Sequence, residues 1–152
     1  MKDKGLCIIP CGSAKIWDQA PQAGPQHARN VYTGVLSKAC KRYAERFFDH
    51  WVILSAKHGF LFPDDIVEAP YDVSFVKPSA QMITIDALLK QAKDKSLSEF
   101  SEITVLGGQH YTSRIKRIFT EGQALHFPLS DCKGIGYMLQ RLSNALRERK
   151  SS

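Results

Sequence analysis

The chain has 152 residues, 43% of them hydrophobic and 24% charged, with a formal charge of +6 at pH 7. That size and composition fit one folded domain with an ordinary core and exclude a disordered chain. No apolar stretch reaches the ~20 residues needed to cross a bilayer, and Pro10-Cys11-Gly12 cuts the first apolar run too short for a secretory signal. The expected location is the cytoplasm, without a membrane partner.

The first apolar run, Leu6 to Pro10, reads as a strand ending in Cys11-Gly12-Ser13-Ala14-Lys15. Trp17 to Asn30, punctuated by Pro21, Gly24 and Pro25, reads as a loop, and loops that long are commonly functional or disordered. A helix of about 16 residues follows, with Val35, Leu36, Ala39, Tyr43 and Phe47 forming its apolar stripe. A second strand, 51–55, runs into Ser55-Ala56-Lys57-His58-Gly59. Pro63, Pro70 and Pro78 then divide an irregular segment, 59–77, whose Phe60, Leu61, Phe62, Ile66, Tyr71 and Phe75 suit a lid or pocket wall.

Ser79 is a fitting N-cap for a helix with Met82, Ile85, Leu88, Leu89 and Ala92 on its stripe. The third strand, 103–106, leads through Gly107-Gly108 into a helix opening near Gln109 and burying Tyr111, Ile115, Ile118 and Phe119. Residues 124–128 form a short fourth strand ending at a proline, and a last helix starts near Ile135, carrying Met138, Leu139, Leu142 and Leu146. Crossovers longer than ten or so residues make parallel, right-handed connections. The expected architecture is therefore a single three-layer, Rossmann-like α/β domain over 1–152, with a mostly parallel sheet of about four strands.

In such sheets the loops at the carboxyl ends of the strands line the ligand crevice. In Cys11-Gly12-Ser13-Ala14-Lys15, Gly12 permits close backbone approach, Ser13 donates a hydroxyl proton and Lys15 supplies charge, which suits an anion. Gly and Ser are also ordinary turn residues, and neither the P-loop nor the dinucleotide fingerprint is present, so no ATP or NAD cofactor is implied. Gly107 and Gly108 before a helix N-terminus offer a second dipole-favoured anion spot beside His110 and Tyr111. Ser55, Lys57 and His58, with Pro70-Tyr71-Asp72, hold most of the reactive groups: His58 titrates near neutrality, and a carboxylate beside an aromatic suits a sugar or base. No nucleophile elbow supports a Ser-His-Asp triad.

Cys7, Cys11, Cys40 and Cys132 are scattered and read as reduced thiols; they lack the paired spacing of a zinc site, so no metal is expected. Surplus basic residues gather at Lys38-Lys41-Arg42-Arg46, at Arg114-Lys116-Arg117, and from Arg141 through Arg147, Arg149 and Lys150. Solvated helix faces account for them as readily as a phosphate-binding surface, which needs the charges on one face.

Read together, Cys11-Gly-Ser-x-Lys15, Tyr32-x-Gly34, Leu54-Ser-Ala-Lys-His-Gly59, Pro63-Asp64, Pro70-Tyr71-Asp72, Gly107-Gly-x-x-Tyr111 and Pro128-Leu129 before Gly134-Ile-Gly136 resemble a family of small bacterial and phage domains of unknown function. The middle block also resembles the peroxide-stress YaaA family, whose Pro-Tyr-Arg is Pro-Tyr-Asp72 here. The resemblance implies where a site lies and supplies no reaction.

The leading expectation is an enzyme acting on a nucleotide, nucleoside or nucleic-acid base, with the N-glycosidic bond a candidate for cleavage. Cys11, Gly12, Ser13, Lys15, Ser55, Gly107, Gly108, His110 and Tyr111 would bind ligand, Tyr71 would stack, and Asp72, His58 and Lys57 would serve as acid–base groups. One alternative is a non-catalytic nucleotide or nucleic-acid module using the basic helices. Another is a protein-interaction domain docking through an exposed apolar patch in 59–77. The enzymatic expectation requires Lys15, His58 and His110 to be neighbours in space.

Overall fold

The computed structural model describes residues 2–148. In chain order the elements are β1 (Asp3–Pro10), β2 (Gln26–His27), α1 (Ala28–Val31), α2 (Val35–Phe47), β3 (Phe48–Ser55), β4 (Gly59–Leu61), β5 (Ile66–Val67), α3 (Ile85–Asp94), β6 (Glu102–Val105), α4 (Gln109–Ile118), β7 (Ala124–His126) and α5 (Ile135–Glu148). Single 3₁₀ turns fall at Ile16–Asp18 and Leu97–Glu99.

Five strands form the main sheet in the order β4-β3-β1-β6-β7. β1 pairs in parallel with β3 and β6, β6 in parallel with β7, and β4 alone runs antiparallel, along the outer edge of β3. Side chains of β1 alternate between two fully covered faces. Cys7 and Ile9 join α2 and α5 in one core, whereas Leu6 and Ile8 join α3 and α4 in the other. A strand buried on both faces needs a continuous apolar run rather than alternation, which is why Leu6-Cys7-Ile8-Ile9 and Trp51-Val52-Ile53-Leu54 read so plainly. The layers are α2/α5, sheet, α3/α4.

Four expectations change. Segment 59–77 is not irregular from its start: it runs back through β4, since Gly59, at φ +76°, reverses the chain and Phe60 and Leu61 bury themselves against the sheet. The fifth strand was hidden by its three-residue length. Thr84, not Ser79, caps α3, its hydroxyl accepting from the amide of Ala87 at 3.1 Å. Val35 lies off the buried stripe of α2, 69% exposed, and Ile135 off that of α5, 59% exposed; Ala39, Cys40, Tyr43 and Ala44, and Met138, Leu142 and Ala145, form the true contact faces. Arg149 and Lys150 lie outside the described residues.

The long loop after β1 is also more ordered than its composition suggests. Trp17 buries its ring and donates Nε1–H to the Gly24 carbonyl at 2.9 Å. β2 pairs antiparallel with β5, so the first loop and segment 59–77 are tied into one ribbon. In that segment Phe60, Leu61, Val67, Val73 and Phe75 are buried, and Phe62, Ile66 and Val76 remain exposed. Among the described residues no helix is long and apolar enough to cross a membrane.

Candidate functional site

β1 and β6 are neighbours, yet the chain leaves β1 through α2 on one face and leaves β6 through α4 on the other. Chains that diverge in this way open a crevice at the carboxyl ends of the two strands. A cavity of about 150 Å³ sits there, lined by Cys11, Gly12, Ser13, Lys15, Asp72, Val73, Ser74, Val76 and Tyr111.

Lys15 dominates its charge. The residue is only 4% exposed, and its backbone is pinned by an isolated antiparallel bridge to Tyr32 and by the Asp18 carboxylate, which accepts from its amide at 2.9 Å. The ammonium donates to the Ser13 carbonyl at 2.9 Å and stands 4.5 Å from the centroid of the Tyr71 ring. Among the described residues no carboxylate pairs with it. A cation–π contact offsets part of the burial cost, of the order of 0.5–2 kcal/mol, but an unpaired buried charge costs several. An anion in the cavity would complete the arrangement.

Beneath Lys15 lies a network of neutral hydroxyls. The Tyr71 hydroxyl meets that of Tyr32 and the Ser55 hydroxyl, the latter at 2.8 Å. The same Ser55 oxygen accepts from the amides of Lys57 and His58 at 3.2 and 3.0 Å, fixing the turn that carries both. Burial, with the Cys11 thiol adding, pushes Tyr71 up to about 12, and burial raises Tyr32 and Tyr111 as well. These phenols stay protonated near neutral pH and act as hydrogen-bonding struts. On the other wall the Tyr111 hydroxyl lies 3.4 Å from the Cys11 sulfur and accepts from the Gly12 amide at 3.4 Å. Ser37 donates to the Cys11 carbonyl at 2.8 Å.

Gly12 and Lys15 thus commit their amides to Tyr111 and Asp18, and the loop is no open amide cradle; its positive charge comes from the Lys15 side chain. Gly107 serves packing: at φ +111° it is buried, and a Cβ there would approach Pro10 Cβ to 3.2 Å. Gly107 and Gly108 do not line the cavity. His110 is exposed at the start of α4, and its carbonyl accepts from Arg114 at 2.6 Å. Lys15 and His58 are brought together by Tyr71, His58 standing edge-on to that ring at 5.0 Å and Lys57 at 5.6 Å from its centroid. Among the described residues no interaction ties His110 to them, so the expected trio is reduced to Lys15 and His58, and any reading of the site rests on those two without His110. Asp72 is exposed at the cavity rim. Two residues at the site were not expected there: Tyr32, which joins the hydroxyl network through Tyr71, and Ser37, which holds the Cys11 carbonyl; the Tyr32-x-Gly34 motif was the available signal for the first.

Burial, and then the neighbouring Lys57, lower His58 below its ordinary 6.5, and its Nε2 is buried without a hydrogen-bond partner among the described residues. The unfolded chain therefore takes up this proton at a higher pH than the folded one. Stability is whole above the unfolded value and declines as pH falls from about 6.5 toward the lower folded value. His58→Gln should flatten that decline in a profile of Tm against pH from about 7 to 5. An unchanged slope would show that the imidazole titrates freely.

The pattern of a family of unknown function, DUF6884, matches residues 6–144. The chain belongs to this family. An uncharacterized protein of Bacillus subtilis (strain 168), YfjM, is 50% identical over 146 residues, covering 96% of this chain and 97% of YfjM. No solved structure matches. The DUF6884 span runs from within β1 to within α5 and includes every residue that lines the crevice at the ends of β1 and β6.

Proposed function

We propose that this protein is an enzyme acting on a nucleotide, nucleoside or nucleic-acid base, holding the anionic part of its substrate at Lys15. The observation that carries the reading is Lys15, a largely buried lysine with no carboxylate partner among the described residues, on the wall of a cavity at the divergence of β1 and β6. A volume of about 150 Å³ is below the roughly 300–1,000 Å³ that engulfs a whole small ligand, so it suits a phosphate while sugar and base remain at the rim.

Asp72 stands at that rim, and N-glycosidic cleavage gives it a role. Water adds its oxygen to the anomeric carbon while Asp72 takes the proton. The carbon–nitrogen bond breaks with its electron pair leaving on the base, which takes a proton from Lys57. His58, held below its ordinary value, supports the neutral role of hydrogen-bond acceptor rather than acid. Asp72→Asn should abolish base release from a nucleoside 5′-monophosphate, followed chromatographically, and leave the thermal shift caused by that ligand in place. Unchanged turnover would remove Asp72 from the chemistry.

The non-catalytic alternative requires the basic helices to act together. α2 and α5 cover one face of the sheet and α4 the other, and Arg141 is engaged with Asp131. Their division between faces favours the crevice.

A further inference from the structure

Next to the crevice is a second recess of about 580 Å³, bordered by Met82, Ile83, Ser113, Arg114 and Arg117. Phe75 joins a residue that lines one to a residue that lines the other. Tyr111, which lines the cavity, meets the edge of Phe75 with ring centroids 5.5 Å apart, and the Arg114 guanidinium lies over the other ring partner, 4.2 Å from the Phe75 centroid. Tyr111 and Arg114 are three residues apart on α4 and so project from one face of that helix.

Neither arginine is neutralised. Arg114 donates to the His110 carbonyl and to the Met82 sulfur, at 2.6 and 3.7 Å, and among the described residues no carboxylate pairs with Arg114 or Arg117. Two like charges stand close enough to oppose one another, adding to the burial that lowers Arg114. A half-buried guanidinium seated over an aromatic ring is preorganised for phosphate and for stacking against a base.

We infer that the substrate is a single-stranded nucleic acid rather than a free nucleotide: the cavity takes one phosphate, and the Arg114–Arg117 recess takes the phosphodiester and base of a neighbouring nucleotide. This rests on the reading of the crevice given above. The recess is lined by apolar Met82 and Ile83 as well as by Arg114 and Arg117, and single-strand sites likewise join positive charge to surfaces on which a base can lie. A duplex presents its phosphates on a stiff convex surface and cannot place one in a recess as small as that around Lys15.

The test uses the full chain and a labelled DNA single strand of about ten nucleotides, within the usual site size, the matching duplex, and AMP. Fluorescence anisotropy reads strand affinity and thermal shift reads AMP binding. Arg114→Ala/Arg117→Ala should lose at least ~10-fold in strand affinity and reduce the slope of log affinity against log salt by about 1.4, or ~0.7 per lost phosphate contact. Its response to AMP should match the wild type. Arg117→Glu alone, an exposed position, should weaken the strand in the same direction and guards against loss of packing at Phe75. Strand affinity unchanged in both variants overturns the inference, as does equal or tighter binding of the duplex. A wild-type protein that binds AMP but no strand refutes the inference and leaves the crevice reading intact. Binding of neither refutes both.

Discussion

Lys15→Met should raise the thermal midpoint of the unliganded protein and abolish its stabilisation by phosphate or nucleoside monophosphates. The two halves of this result have one cause. In the free protein Lys15 as a residue is only 4% exposed, and its ammonium receives only a carbonyl and a ring in return. A buried charge without an ion-pair partner costs several kcal/mol, a cost that an apolar side chain of similar length does not carry. Subtracting the lost ring and carbonyl contacts leaves roughly 1–2 kcal/mol, which corresponds to about 2–8 °C in a domain of this size. With ligand at ~100 times Kd the wild type should gain about 2.7 kcal/mol and the variant nothing. Calorimetric melting with and without ligand measures both. If Lys15 were a structural cation, its removal would lower the midpoint and leave the ligand response alone.

The second large effect is at Gly59. Its φ of +76° lies in the left-handed region, and a Cβ would sit 2.2 Å from Gln91 Oε1 and 2.6 Å from Ile83 Cδ1. That glutamine accepts from the Phe60 amide at 2.8 Å and donates to the His58 carbonyl at 2.9 Å, clamping both sides of the turn. Gly59→Ala combines about 1–2 kcal/mol of backbone cost with about 1–3 kcal/mol of overpacking. A total of roughly 2–5 kcal/mol is a large fraction of the 5–15 kcal/mol that holds a domain folded. Urea denaturation should show the midpoint falling with an unchanged slope. A loss below about 1 kcal/mol would mean that Gln91 and Ile83 yield freely, and that the turn bearing Lys57 and His58 is soft.

The elements that were legible in the sequence are those whose burial leaves a local trace. Leu6–Ile9, Trp51–Leu54 and Ile103–Leu106 announce strands because helices cover both faces of each. The helices announced themselves by period, with errors where a stripe residue sits at an end: Val35 and Ile135 match the pattern but open their helices beyond the neighbouring layer. β4 has three residues and no periodicity to read, so it became visible only through its pairing with Ile53–Ser55. Thr84 was obscured by Pro78-Ser79, an equally good local cap signal that tertiary packing does not use.

The site divides in the same way. Gly12 and Ser13 were accessible to reasoning about loops at strand ends, since position in the fold class is enough to place them; Asp72 was accessible only as a carboxylate beside an aromatic. The burial of Lys15 was not, because it follows from a bridge to Tyr32, seventeen positions away along the chain. Nor was the hydroxyl network, in which Tyr32, Ser55 and Tyr71 come from three separate segments. His110 shows the reverse error: adjacent in sequence to Tyr111, it leaves the crevice because successive helical residues point in different directions.

The most direct measurement is a crystal structure of the protein grown with a nucleoside 5′-monophosphate. Phosphate oxygens within hydrogen-bond reach of Lys15 Nζ, with the sugar emerging past Asp72, is the predicted result. A phosphate bound elsewhere, with Lys15 still facing only Ser13 and Tyr71, would contradict it.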